Sequence, residues 1–101
     1  MTELEREFHL EMLNIYKEAD RQLNYRPTRF LSMVNKYTGV QTAIKLATNP
    51  EGAEGFLKLM EHKRPDLTAE FLVLKEKYRS LFSEEVIEKC QERLDSYKSF
   101  L

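Results

Sequence analysis

The sequence predicts an all-α protein, a compact bundle of about six helices in one domain with no strand. Three observations predict it. Apolar residues recur at helical spacing along most of the 101 residues, and no stretch alternates with period two. The three glycines and three prolines fall where those periodic runs stop. A chain of this length closes one core without staples.

The first helix is expected from about Thr2 to Asn24. Thr2 and Glu5 have the spacing of a capping box. Leu4, Phe8, Met12, Ile15, Tyr16, Ala19 and Leu23 fall on one arc of the wheel, and Leu10 and Leu13 fall off it. Pro27 suits the first turn of a second helix, followed by Phe30, Met33, Val34 and Tyr37 at inward spacing. Gly39 is expected to end that helix in a left-handed conformation. Val40, Ala43, Ile44 and Ala47 then mark a third helix, which stops before Asn49-Pro50.

The stretch "NPEGAEG" reads as a loop containing Gly52 and Gly55. A short fourth helix follows, with Phe56, Leu59 and Met60 facing in and Leu57 to one side, and Pro65 ends it. Thr68 and Ser83 are expected caps of the last two helices, each followed by an acid in the first turn, Glu70 and Glu85. Helix five places Phe71, Leu74, Tyr78, Leu81 and Phe82 on one side. It is apolar on other sides too, at Leu72 and Val73, so it is expected to be the central helix. Helix six carries a narrower stripe through Val86, Ile87, Cys90, Leu94, Tyr97 and Leu101. The expected core is Phe30, Val34, Ile44, Phe56, Phe71, Leu74, Leu81, Ile87 and Leu94.

From Tyr25 to Leu94 the chain carries a spaced pattern. It runs Tyr25-x-Pro27-x-x-Phe30-Leu31-x-Met33, Gly39-Val40, Gly55-Phe56, Arg64-x-Asp66-Leu67-Thr68-x-Glu70 and Leu81-Phe82-Ser83-x-Glu85. This resembles an uncharacterised family of small bacterial helical domains, over about two-thirds of the chain. Members often have Gly-Gly where this chain has Thr38-Gly39, and Leu where it has Pro65. The resemblance implies an all-helical fold and a bacterial or phage origin, and it assigns no activity. It leaves residues 1–24 as an N-terminal helix outside the family-like region, within a single domain of residues 1–101.

Composition narrows the function. The formal charge is −1, which gives no bulk attraction to nucleic acid or an anionic membrane. One cysteine, Cys90, rules out an intrachain disulfide and points to a reducing compartment, the cytoplasm by default. The N-terminal residues are acidic and lack the apolar core of a signal or a membrane span. His9 and His62 are not in a metal-ligand spacing and read as solvent-facing or edge residues. No phosphate loop is present, and no cofactor or metal is expected. Cys90 lies on an apolar stripe and reads as a buried structural thiol. Arg64, Asp66 and Glu70 read as one structural polar cluster around the start of helix five. With no catalytic constellation in view, the chain is not expected to be an enzyme.

Charge is unevenly spread. Residues 24–50 hold Arg26, Arg29, Lys36 and Lys45 and no acid, between two acidic segments. Those four side chains are candidate anion or nucleic-acid contacts. The second and third helices also have the proportions of a helix-turn-helix. The same strip can instead pair with the acidic first helix or receive an acidic protein. Leu10, Leu13 and Phe100, off their helices' stripes, are candidate protein contacts. The leading expectation is a non-enzymatic protein-interaction module, binding a partner or a copy of itself. A small nucleic-acid-binding protein is the alternative.

Overall fold

The computed structural model describes residues 1–49 and 53–97. It holds six α-helices and no strand among them, as the sequence predicts: α1 (Glu3–Leu23), α2 (Thr28–Tyr37), α3 (Gly39–Thr48), α4 (Ala53–Glu61), α5 (Ala69–Val73) and α6 (Glu84–Tyr97). Two short 3-10 segments, Pro65–Leu67 and Glu76–Leu81, flank α5.

The capping box of α1 forms. Thr2 Oγ1 accepts from the Glu5 amide at 3.1 Å, and the Thr2 amide donates to Glu5 Oε1 at 3.2 Å. Asn24 closes the helix in the left-handed region at φ 51°. Pro27 stands one position earlier than expected, as the residue before the first turn of α2. Thr68 and Ser83 cap as predicted, accepting from the amides of Phe71 at 3.1 Å and Val86 at 3.3 Å. Gly55 lies inside α4 rather than in a loop, on an exposed face where a side chain would meet nothing.

The α2–α3 junction differs from expectation in an informative way. Gly39 does not take the left-handed conformation; it opens α3 with ordinary helical geometry. The residue with positive φ is Thr38, at φ 80° and ψ 165°. That region is close to glycine-only, and a β-branched residue held there is strained. Gly39 is small for another reason. A Cβ on it would stand 2.7 Å from the His9 Cα, inside contact distance with α1 backbone. Its amide donates to His9 Nδ1 at 3.0 Å, so His9 caps the start of α3 across 30 residues of chain. Of the two expectations for His9, solvent-facing or edge, the half-buried position fits the edge, and the ring has a structural role there.

The close approach makes α3 the central helix, in place of the fifth. It touches α1, α2, α5 and α6, and buries Val40, Thr42, Ala43 and Ala47. The larger apolar cluster surrounds it, with Phe8, Met12, Ile15, Val34, Val73, Tyr78, Phe82, Val86 and Cys90. Phe8 meets Tyr78 and Phe82 edge to face, with ring centroids 5.1 Å and 5.2 Å away. A smaller cluster, Phe56, Leu59, Met60 and Leu67, sits under α4, with Leu23, Tyr25 and Leu94 against it.

Helix five is where the periodicity misleads. The α-helix stops at Val73, and Lys75 is extended, at φ −61° and ψ 132°. The chain then re-enters as a 3-10 segment. The break swings Tyr78 and Phe82 onto Phe8, and this aromatic packing outweighs local helix propensity. Leu72 and Val73 are buried in consequence, and Phe71 is 41% exposed. Of the expected core, Val34 and Phe56 are buried. Phe30, Ile44, Leu74, Leu81 and Ile87 are half-buried against the larger cluster, and Leu94 against the smaller. Leu101 and Phe100 lie outside the described residues.

Two predictions follow from this packing. Thr38→Gly should raise stability, since a strained backbone of this kind costs ~1–3 kcal/mol. Gly39→Ala should lower it by a similar ~1–3 kcal/mol, because two helix backbones must separate to admit a methyl group. Denaturant unfolding of both variants checks the pair. Leu72→Ala should cost ~2–5 kcal/mol, whereas Phe71→Ala should fall well below that range. Equal losses would mean that Phe71 lies on a buried face as Leu72 does.

Candidate functional site

An open groove of about 490 Å³ lies between the end of α1, the start of α2, α4 and the start of α5. Its floor is apolar, with Phe30, Met33, Phe56, Leu59 and Leu67. Stretches far apart in sequence converge on it, since Tyr25, Pro27 and Phe30 meet Phe56, Thr68 and Glu70 there. The rim carries Arg26, Arg29, Lys45 and Lys58 against Glu54. A shallower recess continues from it along α2 and α3, sharing Arg29, Met33, Lys45 and Asn49 and adding Ser32, Lys36, Tyr37 and Thr48.

Three of the four strip residues, Arg29, Lys36 and Lys45, therefore share one recess. Lys36 Nζ lies 5.1 Å and Lys45 Nζ 4.6 Å from the centre of the Tyr37 ring. Neither ammonium group forms an ion pair among the described residues. Arg26 is engaged differently. Its Nε donates to Asp20 Oδ1 at 3.0 Å, so one cation of the strip is returned to acidic α1.

The helix-turn-helix expectation does not survive. A single residue, Thr38, joins α2 and α3. A recognition helix must stand clear of its own domain to enter a groove, and α3 is packed on by four other helices, leaving Gln41, Lys45, Thr48 and half-buried Ile44 and Leu46 toward solvent.

The expected cluster of Arg64, Asp66 and Glu70 divides. Arg64 grips Asp66 with two hydrogen bonds of 3.0 Å and also donates to Gln22 Oε1, tying the corner before α5 to the end of α1. This guanidinium holds the Asp66 carboxyl below the usual carboxylate range. Glu70 turns away. It is 4% exposed and accepts from Arg93 Nη1 at 2.8 Å. Arg93 Nη1 also donates to the Leu46 carbonyl at 2.7 Å, and its Nη2 to the Asn49 carbonyl at 3.2 Å. One guanidinium thus closes the C-terminal end of α3, neutralises a buried acid and joins α6 to α5. Removing one partner of such a buried pair typically costs ~3–5 kcal/mol, because the other charge stays behind.

Sequence reasoning missed Arg93 and His9. Arg93 follows Cys90 by three positions and Val86 by seven, at the edge of the α6 stripe. A charge at that spacing was the available signal. His9 had none, because its acceptor role depends on a contact 30 residues away.

The apolar candidates also divide. Leu13 packs against the larger cluster, and Leu10 is 54% exposed with no apolar companion from that pair. Phe100 falls outside the described residues. His62 is exposed, with its ring centre 6.3 Å from that of Tyr25. No group of side chains among the described residues is placed to hold a metal ion, and no described helix is long and apolar enough to cross a membrane.

Cys90 is buried, and burial pushes its thiol up to about 12. Burial, with the Glu11 carboxylate beside it, also pushes the Tyr78 hydroxyl up to about 12. Both groups hold their protons more tightly in the folded chain than in the unfolded one. Their contribution to stability is complete below the ordinary thiol value of 9.0 and is lost as pH rises toward 12. Denaturation midpoints should fall from about pH 9 upward, and Tyr78→Phe should fall less steeply than the wild type above about pH 10. Parallel curves for the two proteins would remove Tyr78 from this account.

Comparison with protein-family models, curated proteins and solved structures finds no match.

Proposed function

We propose that this chain is a non-enzymatic helical interaction module. It seats an acidic, partly apolar segment of a partner protein along the groove and recess bounded by α2, α3 and α4. The observation that carries the reading is the pairing of an apolar floor with a cationic rim. Phe30, Met33, Phe56 and Leu59 offer sites for apolar anchors, and Arg29, Lys36 and Lys45 stand beside them. Glu70, the buried acid in the wall, is neutralised by Arg93 and does not repel an incoming carboxylate. Anchors desolvated in a groove supply affinity, and charges at the rim set orientation and partner choice.

A second reading rests on one observation. Two lysines beside the half-buried Tyr37 ring combine phosphate attraction with an aromatic side chain, the pairing used in single-strand nucleic-acid sites. The apolar floor beside the cations, which a polyphosphate backbone does not use, and the burial of α3 weigh toward the protein partner.

Titration of the isotope-labelled protein by NMR separates the two. A synthetic amphipathic peptide with acidic and apolar residues should shift amides around Phe30, Met33 and Phe56 saturably. Arg29→Ala with Lys45→Ala should weaken it at least ~10-fold, the effect of losing one charge-assisted hydrogen bond. Duplex and single-stranded oligonucleotides should bind no tighter than the non-specific range of ~10⁻⁴–10⁻⁶ M. Tight oligonucleotide binding that falls steeply with salt would replace this reading with the second.

A further inference from the structure

The outer face of α6 is acidic along its length. Glu84, Glu88 and Glu92 follow one another at i, i+4, with Glu85 and Asp95 beside them, all exposed. None of the four glutamates forms an ion pair among the described residues. Like charges at that spacing repel one another, although Glu84 and Glu85 lie in the first turn, where the helix dipole favours an acid. Among the described residues the row goes unanswered, although the recess of α2 and α3 carries two cations that form no ion pair among those residues either, Lys36 and Lys45. The two sets match in scale. Both ammonium groups flank one Tyr37 ring and so stand within roughly 10 Å of each other. Carboxylates four residues apart on a helix are spaced by about 6 Å.

We infer that the recess of α2 and α3 docks the α6 face of a second copy of this chain, head to tail. The inference rests on the reading of that recess as a docking surface and names its occupant. Lys36 and Lys45 meet carboxylates of the row formed by Glu84, Glu88 and Glu92, and the Tyr37 ring lies between. The recess and the row are different surfaces. Each added copy therefore leaves one of each exposed, and the assembly grows unless its rotation closes a ring.

Sedimentation of the whole chain over a range of concentrations, at low and high salt, tests this with charge reversal. The wild type should gain mass with concentration at low salt and lose it at high salt, because exposed pairs are screened. Lys36→Glu with Lys45→Glu should remain a single chain, as should Glu88→Lys with Glu92→Lys, each with unchanged helicity by circular dichroism. Mixing the two reversed proteins should restore association, since each surface again meets its opposite sign. A wild type that stays a single chain at every concentration in low salt would overturn the inference, as would a mixture that fails to associate. The acidic-peptide titration remains a separate measurement. Saturable peptide binding by a chain that never self-associates would leave the docking surface standing and remove this occupant alone.

Discussion

The contact between α1 and α3 at Gly39 is the constraint on which the rest of the bundle depends. With no side chain at that position, the start of α3 lies directly on the backbone of His9, and the imidazole caps it. A ten-residue helix placed this close to the longest one becomes the axis around which the others pack. Thr38 bears the conformational cost of that placement, since one residue must reverse the chain between α2 and α3. Lys45 is consequently held on the outer side of α3, against the Tyr37 ring at the end of α2.

The other end of α3 is fixed by a single guanidinium. Helix C-termini leave carbonyl groups without partners, and Arg93 reaches two of them while pairing with Glu70. A buried ion pair is weak evidence for stability, because desolvation of both charges offsets their attraction. Its value here is geometric. The pair registers α6 against α5 and α3, and it neutralises the buried acid in the groove wall.

Much of this fold was legible in the sequence where a local cause operates. The capping box at Thr2 and Glu5, the caps at Thr68 and Ser83 and the buried face of α1 are short-range effects, and all appear as read. The failures share a cause as well. At helix five, Tyr78 and Phe82 are drawn to Phe8, some 70 residues earlier in the chain, and no window of local periodicity contains that attraction. At Gly39 the local pattern reads as a turn former, whereas a distant backbone requires the small residue. Glu70 was grouped with its neighbours in sequence, when its partner comes from α6. The basic strip was legible as a composition bias, but its division between Arg26, returned to Asp20, and the recess residues needed the packing of α2 on α1.

That division bears on why the surface is charged as it is. A chain with nearly balanced charge can lower its energy by pairing opposite signs, and this one does so at several tertiary contacts. Lys75 meets Glu11, Lys77 meets Glu7, and Arg26 meets Asp20. Each such exposed pair contributes only ~0–1 kcal/mol, so the fold loses little by forgoing one. Lys36 and Lys45 in the recess and the glutamates of the outer α6 row form no ion pair among the described residues, and they are of opposite sign. An exposed row of like charge, together with a cationic recess beside an apolar floor, is of little use to the stability of an isolated chain. Such charges suit the docking proposed above, because unpaired charges act at a distance whereas charges already paired do not. The same packing that holds α3 at the centre places Lys36 and Lys45 against the Tyr37 ring rather than against a carboxylate among the described residues, and this placement is what the proposed docking draws on.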